Sequence, residues 1–203
     1  MSPLAVFVTT LLKSSAICLG ITIAVVQPSV GGDGRNRVVA RQSPAEEAVT
    51  HLVAALKDSD AGVRRQAATA LAHIGNTRAV PGLIDAAGDQ SPDVRLKVVG
   101  ALGELGDARA VPTLIAALKD ADARVRARAA LSLGEMRDRS AVDALIGLIK
   151  DGDIEVKRRA IGALGEIGDS RAIAPITSAL KDTDVSVRRA AIQALAELGG
   201  GEV

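Results

Sequence analysis

Apolar residues recur along this chain in blocks that repeat every 31 residues without an insertion. Within a block they fall three and four positions apart, as in Val111, Leu114, Ile115 and Leu118, a spacing typical of one face of an α-helix. A polar turn, Lys-Asp-x-Asp in most blocks, separates this run from a second apolar run. The pattern predicts two helices per block, and a fixed period of this length predicts an all-α, right-handed α-solenoid. The five units cover residues 48–78, 79–109, 110–140, 141–171 and 172–199.

Several columns scarcely vary among the units. They are the turn aspartates Asp58, Asp89, Asp120, Asp151 and Asp182, the valines Val63, Val94, Val125, Val156 and Val187, and the leucines Leu71, Leu102, Leu133, Leu164 and Leu195. Because ordering a 31-residue unit costs more free energy than its own aliphatic contacts return, a unit should fold only when it is stacked on its neighbours.

Helix start and stop residues agree with this parse. Pro81 and Pro112 lie near the start of first helices, where a missing N–H costs little. The turn residues predicted to cap second helices are Asp60, Asp122, Asp153 and Asp184, and those predicted to end them in a left-handed conformation are Gly75, Gly106, Gly168 and Gly199. The second helix of unit one should bury Val63, Ala67, Leu71 and Ile74. In unit three Met136-Arg137 replaces the apolar-glycine pair, so a strained or differently shaped turn is expected.

The N-terminal region has a different composition. Residues 4–26 are apolar except for Lys13 and a few small polar residues, and they fit either a signal peptide within residues 1–32 or an uncleaved membrane anchor that tethers the protein. The expected location is therefore exported, periplasmic or extracellular, or membrane-anchored, with the cytoplasm left open. Residues 33–45 read as a flexible linker, and residues 200–203 read as a tail.

Composition limits the chemistry. The 25 basic and 24 acidic residues nearly cancel, and Phe7 is the one aromatic residue, which argues against nucleic acid as a partner. His51 and His73 are the two histidines, and no carboxylate or thiol cluster accompanies them at ligand spacing. We therefore predict no metal site, no cofactor and no catalytic residue.

The stretch Leu164–Ala191, LGEIGDSRAIAPITSALKDTDVSVRRAA, resembles the HEAT family, and more closely its phycobilisome-lyase HEAT-like branch. The resemblance covers residues 46–199 and implies a ladder of hydrogen bonds between units, formed by the turn aspartate and the basic residue six positions on. The positions that fit this ladder are Asp58, Arg64, Asp89, Arg95, Asp120, Arg126, Asp151, Lys157, Asp182 and Arg188. Metal-hydroxylase relatives carry His-Glu pairs, and here Gly103, Gly134, Gly165 and Ala196 precede the glutamates instead.

The second helices should line the inner, concave face, where such solenoids usually bind partners. The candidate protein-binding residues are Arg65, Lys97, Gly100, Glu104, Arg124, Arg128, Leu131, Glu135, Arg158, Arg159, Gly162, Glu166, Arg189, Gln193 and Glu197. They form a basic row near the helix starts and an acidic row near the ends, an order that opposes the helix dipole. Two interpretations stay open, a two-toned groove for a partner and a solvated surface of weak ion pairs. Gly100 and Gly162 could admit a partner's backbone, with Leu131 as an apolar anchor between them.

The favoured function is a non-catalytic scaffold that binds a protein partner along the concave face. The resemblance implies an alternative, a lyase-like subunit or lyase chaperone that acts on phycobiliproteins. Self-association into a longer array is a third hypothesis, because no distinctly polar capping unit precedes Gly199.

Overall fold

A computed structural model describes residues 43–200, and all regular secondary structure in that range is helical. The first helices of the five units are α1 (Pro44–Ala55), α3 (Val80–Ala86), α5 (Val111–Ala117), α7 (Val142–Leu148) and α9 (Ile173–Ala179). The second helices are α2 (Ala61–Ile74), α4 (Pro92–Leu105), α6 (Ala123–Glu135), α8 (Ile154–Ile167) and α10 (Val185–Gly199). Short 3-10 helices, Thr77–Ala79, Ala108–Ala110, Arg139–Ala141 and Ser170–Ala172, lead from one unit into the next. The predicted all-α, right-handed solenoid is confirmed.

The two rows of helices are not equivalent. Each second helix packs against the second helices of the neighbouring units, whereas each first helix packs mainly against the second helix of its own unit. Because the second helices are the more closely spaced row, they lie on the inner side of the array. No helix within residues 43–200 is both long and apolar enough to cross a bilayer, and the predicted signal peptide or anchor lies outside the described residues.

Local signals explain where the helices begin and end. Ser43 and Glu46 form a reciprocal capping box and Pro44 follows the cap, so α1 begins before the predicted linker ends at residue 45. The prediction that Gly199 ends α10 in a left-handed conformation is wrong. In units one to four an asparagine or aspartate caps the 3-10 turn that follows the second helix, as Asn76 does, and Gly200 occupies that register position after α10.

The core is a stack of aliphatic columns. Leu71, Leu102, Leu133 and Leu164 are fully buried between the helix layers. Columns become exposed where a neighbouring unit is missing from the described residues: Val63 is 40% exposed in unit one, and Ile192, whose column is otherwise buried, is 61% exposed in unit five. The expected burial of Val63 and Ile74 in unit one is therefore wrong, because a column needs the adjacent unit to cover it.

Close packing between second helices depends on a column of glycines. A Cβ placed on Gly134 would lie 2.8 Å from the Cα of Ala163, and one on Gly165 would lie 2.9 Å from the Cα of Ala194. A Cβ on Gly103 would collide with Ser132, whose hydroxyl is buried without a hydrogen-bond partner in the described residues. These glycines set the distance between successive second helices, and the charged residues of the inner face lie on those helices.

The turn after α6 carries the backbone strain that the sequence predicts. Arg137 has a φ of 52° at the register position where Gly75, Gly106 and Gly168 have φ values of 69°, 62° and 72°. Left-handed geometry costs a non-glycine residue roughly 1–2 kcal/mol. The turn after α6 thus has the same left-handed conformation as the corresponding turns, and the backbone of Arg137 is strained.

We expect Arg137→Gly to raise the free energy of unfolding by about 1 kcal/mol, because glycine adopts this φ without steric cost. Urea unfolding followed by circular dichroism measures the change. Arg139→Gly is the control and should destabilise the protein, since Arg139 lies in a 3-10 helix with no positive φ. Equal destabilisation by both variants would show that the backbone of Arg137 is not strained in the folded protein.

Candidate functional site

A ladder of ion pairs joins each second helix of units one to four to the turn of the next unit. The Arg126 guanidinium donates from Nε and Nη2 to both carboxylate oxygens of Asp151 in the next unit, each at 2.9 Å. Its Nη1 also donates to the carbonyl oxygens of Asp120 and Ala121 in the turn of its own unit, at 2.8 and 3.2 Å. The equivalent pairs between neighbouring units are Arg64 with Asp89, Arg95 with Asp120, and Lys157 with Asp182. Arg188 binds only turn carbonyls among the described residues.

Each ladder aspartate also stabilises the turn in which it lies. Asp151, for example, accepts a hydrogen bond from the backbone amide of Asp153. The Arg126 guanidinium lowers the pKa of Asp151, and the corresponding cations lower the pKa values of Asp89, Asp120 and Asp182. A carboxylate with a depressed pKa in the folded state stabilises the protein above its unfolded pKa, and it loses this effect as the pH falls through the folded value.

We therefore expect the free energy of unfolding to fall as the pH is lowered below about 4, the ordinary pKa of aspartate. Urea titrations at a series of pH values measure this. Asp151→Asn should lower the stability at neutral pH and make its pH dependence shallower, because one linked carboxylate is removed. An unchanged slope in that variant would show that the Arg126 pair does not contribute to acid sensitivity.

Within residues 43–200, the face formed by the second helices carries two grooves that contain predicted binding residues. The first, which we call the α8–α10 groove, has a volume of about 150 Å³. It brings together seven of the predicted binding residues, Leu131, Arg158, Arg159, Gly162, Glu166, Gln193 and Glu197, with Ala163, Ala190 and Ala194 as further lining. A Cβ at Gly162 would meet no atom within 4 Å, so its surface is open.

The second groove, between α2, α4 and α6, has a volume of about 330 Å³. It contains the predicted residues Lys97, Gly100, Glu104 and Arg128, together with Thr69, His73 and Leu96. The expectation that Gly100 exposes its backbone to a partner is wrong, because Gly100 is buried and a Cβ there would lie 3.0 Å from the Arg128 Nε. Arg128 reaches across to Glu104, with 2.8 Å between Nη2 and Oε1. This glycine makes room for an arginine of the next unit.

The remaining predicted residues, Arg65, Arg124, Glu135 and Arg189, are exposed but line neither groove. Arg124 pairs with Asp122 and Asp93, and its side chain is 58% exposed. Arg158 and Arg159 both pair with Glu155 on their own helix. Part of the basic row is therefore engaged in exposed ion pairs, which contribute little to stability.

The acidic row behaves differently. Partial burial raises the pKa of Glu166, and the neighbouring carboxylates Glu135 and Glu197 raise it further. A raised carboxylate pKa means that the surroundings disfavour the charged form, so ionised Glu166 does not stabilise the fold at neutral pH.

The sequence pattern places Ala190 on the exposed face, but it did not indicate the other two alanines that line the α8–α10 groove, Ala163 and Ala194. Alanine is common in helix interiors, so only its position opposite the glycine column could have indicated close packing. Residues 43–200 contain no group of three or more histidine, cysteine, aspartate or glutamate residues arranged to hold a metal ion.

Comparison with protein families gives a match to HEAT repeats over residues 37–89, 49–124, 80–153 and 146–203. Curated protein sequences gave no significant match.

Several solved structures share the fold. The complex of CpcE and CpcF of phycocyanin lyase from Nostoc sp. PCC7120 is 31% identical, with a TM-score of 0.68, and the match covers 85% of this chain and 71% of that chain. YibA from Escherichia coli is 29% identical, with a TM-score of 0.61 over 76% of this chain and 58% of that chain. A designed armadillo repeat protein is 19% identical, with a TM-score of 0.59 over 75% and 82% of the two chains, and shows the fold alone.

Proposed function

The chain belongs to the HEAT repeat family, and on this premise we propose that it is a non-catalytic scaffold that binds a protein partner along its second helices. The observation that carries the proposal is that both grooves lie on the second helices and are lined by arginine or lysine together with glutamate. The buried residues beneath them, in contrast, are almost all aliphatic in every unit. The surroundings of Glu166 raise its pKa and disfavour its ionised form, so this glutamate does not stabilise the fold at neutral pH. A role in binding a partner would explain why a glutamate is found there.

The test is affinity capture from native extract with quantitative mass spectrometry. Arg158→Glu combined with Arg159→Glu reverses two charges whose ion pairs within residues 43–200 are exposed pairs with Glu155, so the fold should persist. We expect this variant to lose partners that the unaltered chain retains.

The matched control is Lys119→Glu combined with Lys150→Glu, which makes the same charge change at exposed positions in the turns after first helices. This control should recover the same partners as the unaltered chain. Equal recovery by all three proteins would contradict binding along the inner face.

One comparison favours a second candidate function. Because the CpcE and CpcF complex of a phycocyanin lyase is 31% identical, the chain could serve as a lyase-like subunit or lyase chaperone for phycobiliproteins. Co-expression with a phycobiliprotein and its bilin tests this. Bilin transfer or stable association would support the lyase role, and the lack of both would remove it.

We also propose that the apolar segment at residues 4–26 directs the protein out of the cytoplasm or tethers it to a membrane. Its length and its single charge, Lys13, support this. Mass spectrometry of the mature N-terminus distinguishes a cleaved signal from a retained anchor, and an intact N-terminus on a chain that stays in the soluble cell fraction would contradict both.

A further inference from the structure

The α8–α10 groove has the dimensions of a site for side chains. Its volume, about 150 Å³, lies below the roughly 300–1,000 Å³ of typical small-molecule sites. The groove follows α8 from Arg158 to Glu166, with Gln193 and Glu197 of α10 along one side and Leu131 of α6 on the other. It therefore runs along the helix, which suits a chain segment better than a cofactor.

Opposite charges lie at the two ends of this groove. Arg158 and Glu166 are eight residues apart on one helix, which at about 1.5 Å per residue separates them by roughly 12 Å. An extended polypeptide advances about 3.3 Å per residue, so about four residues bridge the same distance. Side chains four positions apart in an extended segment also point to the same side.

The basic end keeps a surplus of positive charge. Arg158 and Arg159 share one carboxylate, Glu155, at 2.7 and 2.6 Å. Both arginine side chains are nearly half exposed, so a second carboxylate can reach them.

The acidic end has a surplus of negative charge. Neither Glu166 nor Glu197 forms an ion pair with a lysine or arginine of the described residues, and Gln193 donates to Glu197 at 3.1 Å. Burial and the carboxylates of Glu135 and Glu197 raise the pKa of Glu166, while the charges of Arg137 and Arg159 lower it. A cation placed there would relieve the repulsion between the carboxylates.

The middle of the groove is uncharged. Among the described residues, no atom lies within 4 Å of the position that a Cβ on Gly162 would occupy, and Leu131, which is half-buried, also lines the groove. The backbone of a bound segment, with small apolar side chains, fits this gap.

Resting on the function proposed above, we infer that this groove binds an extended segment of the partner that carries an acidic residue and, four positions away, a lysine or arginine. The acidic side chain pairs with Arg158 and Arg159, and the cationic side chain lies between Glu166 and Glu197. The groove therefore recognises the four-residue spacing between the acidic and the basic side chain of the segment, as well as their charges.

The experiment is an NMR titration of the ¹⁵N-labelled chain with synthetic peptides. The probes are Ac-Gly-Asp-Val-Ala-Val-Lys-Gly-NH2 and its reversed sequence, since either direction could fit. Control peptides replace the lysine with glutamine or shorten the spacing by two residues. We expect at least one probe to shift the amide resonances of Gly162, Glu166 and Gln193, and the controls to bind more weakly.

Two variants locate the site. Glu166→Gln with Glu197→Gln should raise the peptide Kd about tenfold, since two partly exposed charge interactions are removed. Gly162→Leu should fill the groove and abolish binding, with helicity retained because leucine is a good helix former.

Equal shifts with the short-spacing control would overturn the inference, because they would indicate non-specific ion pairing. Shifts confined to the second groove, around Lys97 and Glu104, would also overturn it but leave the scaffold function standing. If no peptide causes any shift, the inference is wrong, while the capture experiment with the Arg158 and Arg159 variant still decides the proposed function.

Discussion

Replacing Arg126 with methionine is expected to lower the free energy of unfolding by about 2–3 kcal/mol, one of the largest single-residue effects that we predict for this protein. The substitution keeps an unbranched side chain but removes four hydrogen bonds. Two of them go to the Asp151 carboxylate of unit four, and two go to turn carbonyls of unit three. Asp151 then loses its paired guanidinium while its side chain is only 10% exposed. Urea unfolding at neutral pH measures the change.

Arg124→Met is the matched control, because Arg124 lies two positions earlier and also pairs with aspartates, through a side chain that is 58% exposed. Its loss should cost at most about 0.5 kcal/mol. A similar cost for the two variants would mean that the ladder is only another set of surface ion pairs.

Replacing Gly165 with alanine is expected to destabilise the protein by about 1–2 kcal/mol. The new Cβ would lie 2.9 Å from the Cα of Ala194, and backbone cannot move aside as the end of a flexible side chain can. Because the contact is with backbone, we expect the upper part of the usual overpacking cost, roughly 2–3 kcal/mol, and alanine returns roughly 1 kcal/mol of this through its helix propensity. Thermal and urea unfolding measure the net effect.

Gly162, one turn earlier in α8, provides the internal control, since a Cβ there meets no atom within 4 Å. Gly162→Ala should stabilise the protein by about 0.5–1 kcal/mol through helix propensity alone. If both glycine variants gain stability, the second helices are not held as closely as the structure indicates.

The repeat explains why so much of this fold can be predicted from one sequence. The 31-residue period places Leu71, Leu102, Leu133 and Leu164 in one column, and each of these leucines is fully buried. Arg137 lies at the glycine position of the same register, so its strain is also readable from the sequence.

The groove residues were harder to predict because exposure depends on side chains from the neighbouring unit. Gly100 has the same register as Gly162, yet Arg128 covers the first while nothing covers the second. A periodic pattern assigns both to one face, but it does not determine which way an arginine of the next helix turns. The pairing of Arg158 and Arg159 with Glu155, by contrast, follows the spacing of three and four residues at which side chains on one helix are neighbours.

Site-specific photo-crosslinking in native extract, with a photoreactive amino acid at Gln193 or at Thr177, tests partner binding along the second helices most sharply. Both positions are exposed and belong to unit five, but Gln193 lines the α8–α10 groove on a second helix and Thr177 lies on a first helix. If the partner binds along the second helices, we expect a specific protein adduct from position 193 and none from position 177. Identical adducts from both positions, or an adduct from position 177 alone, would contradict binding along the second helices.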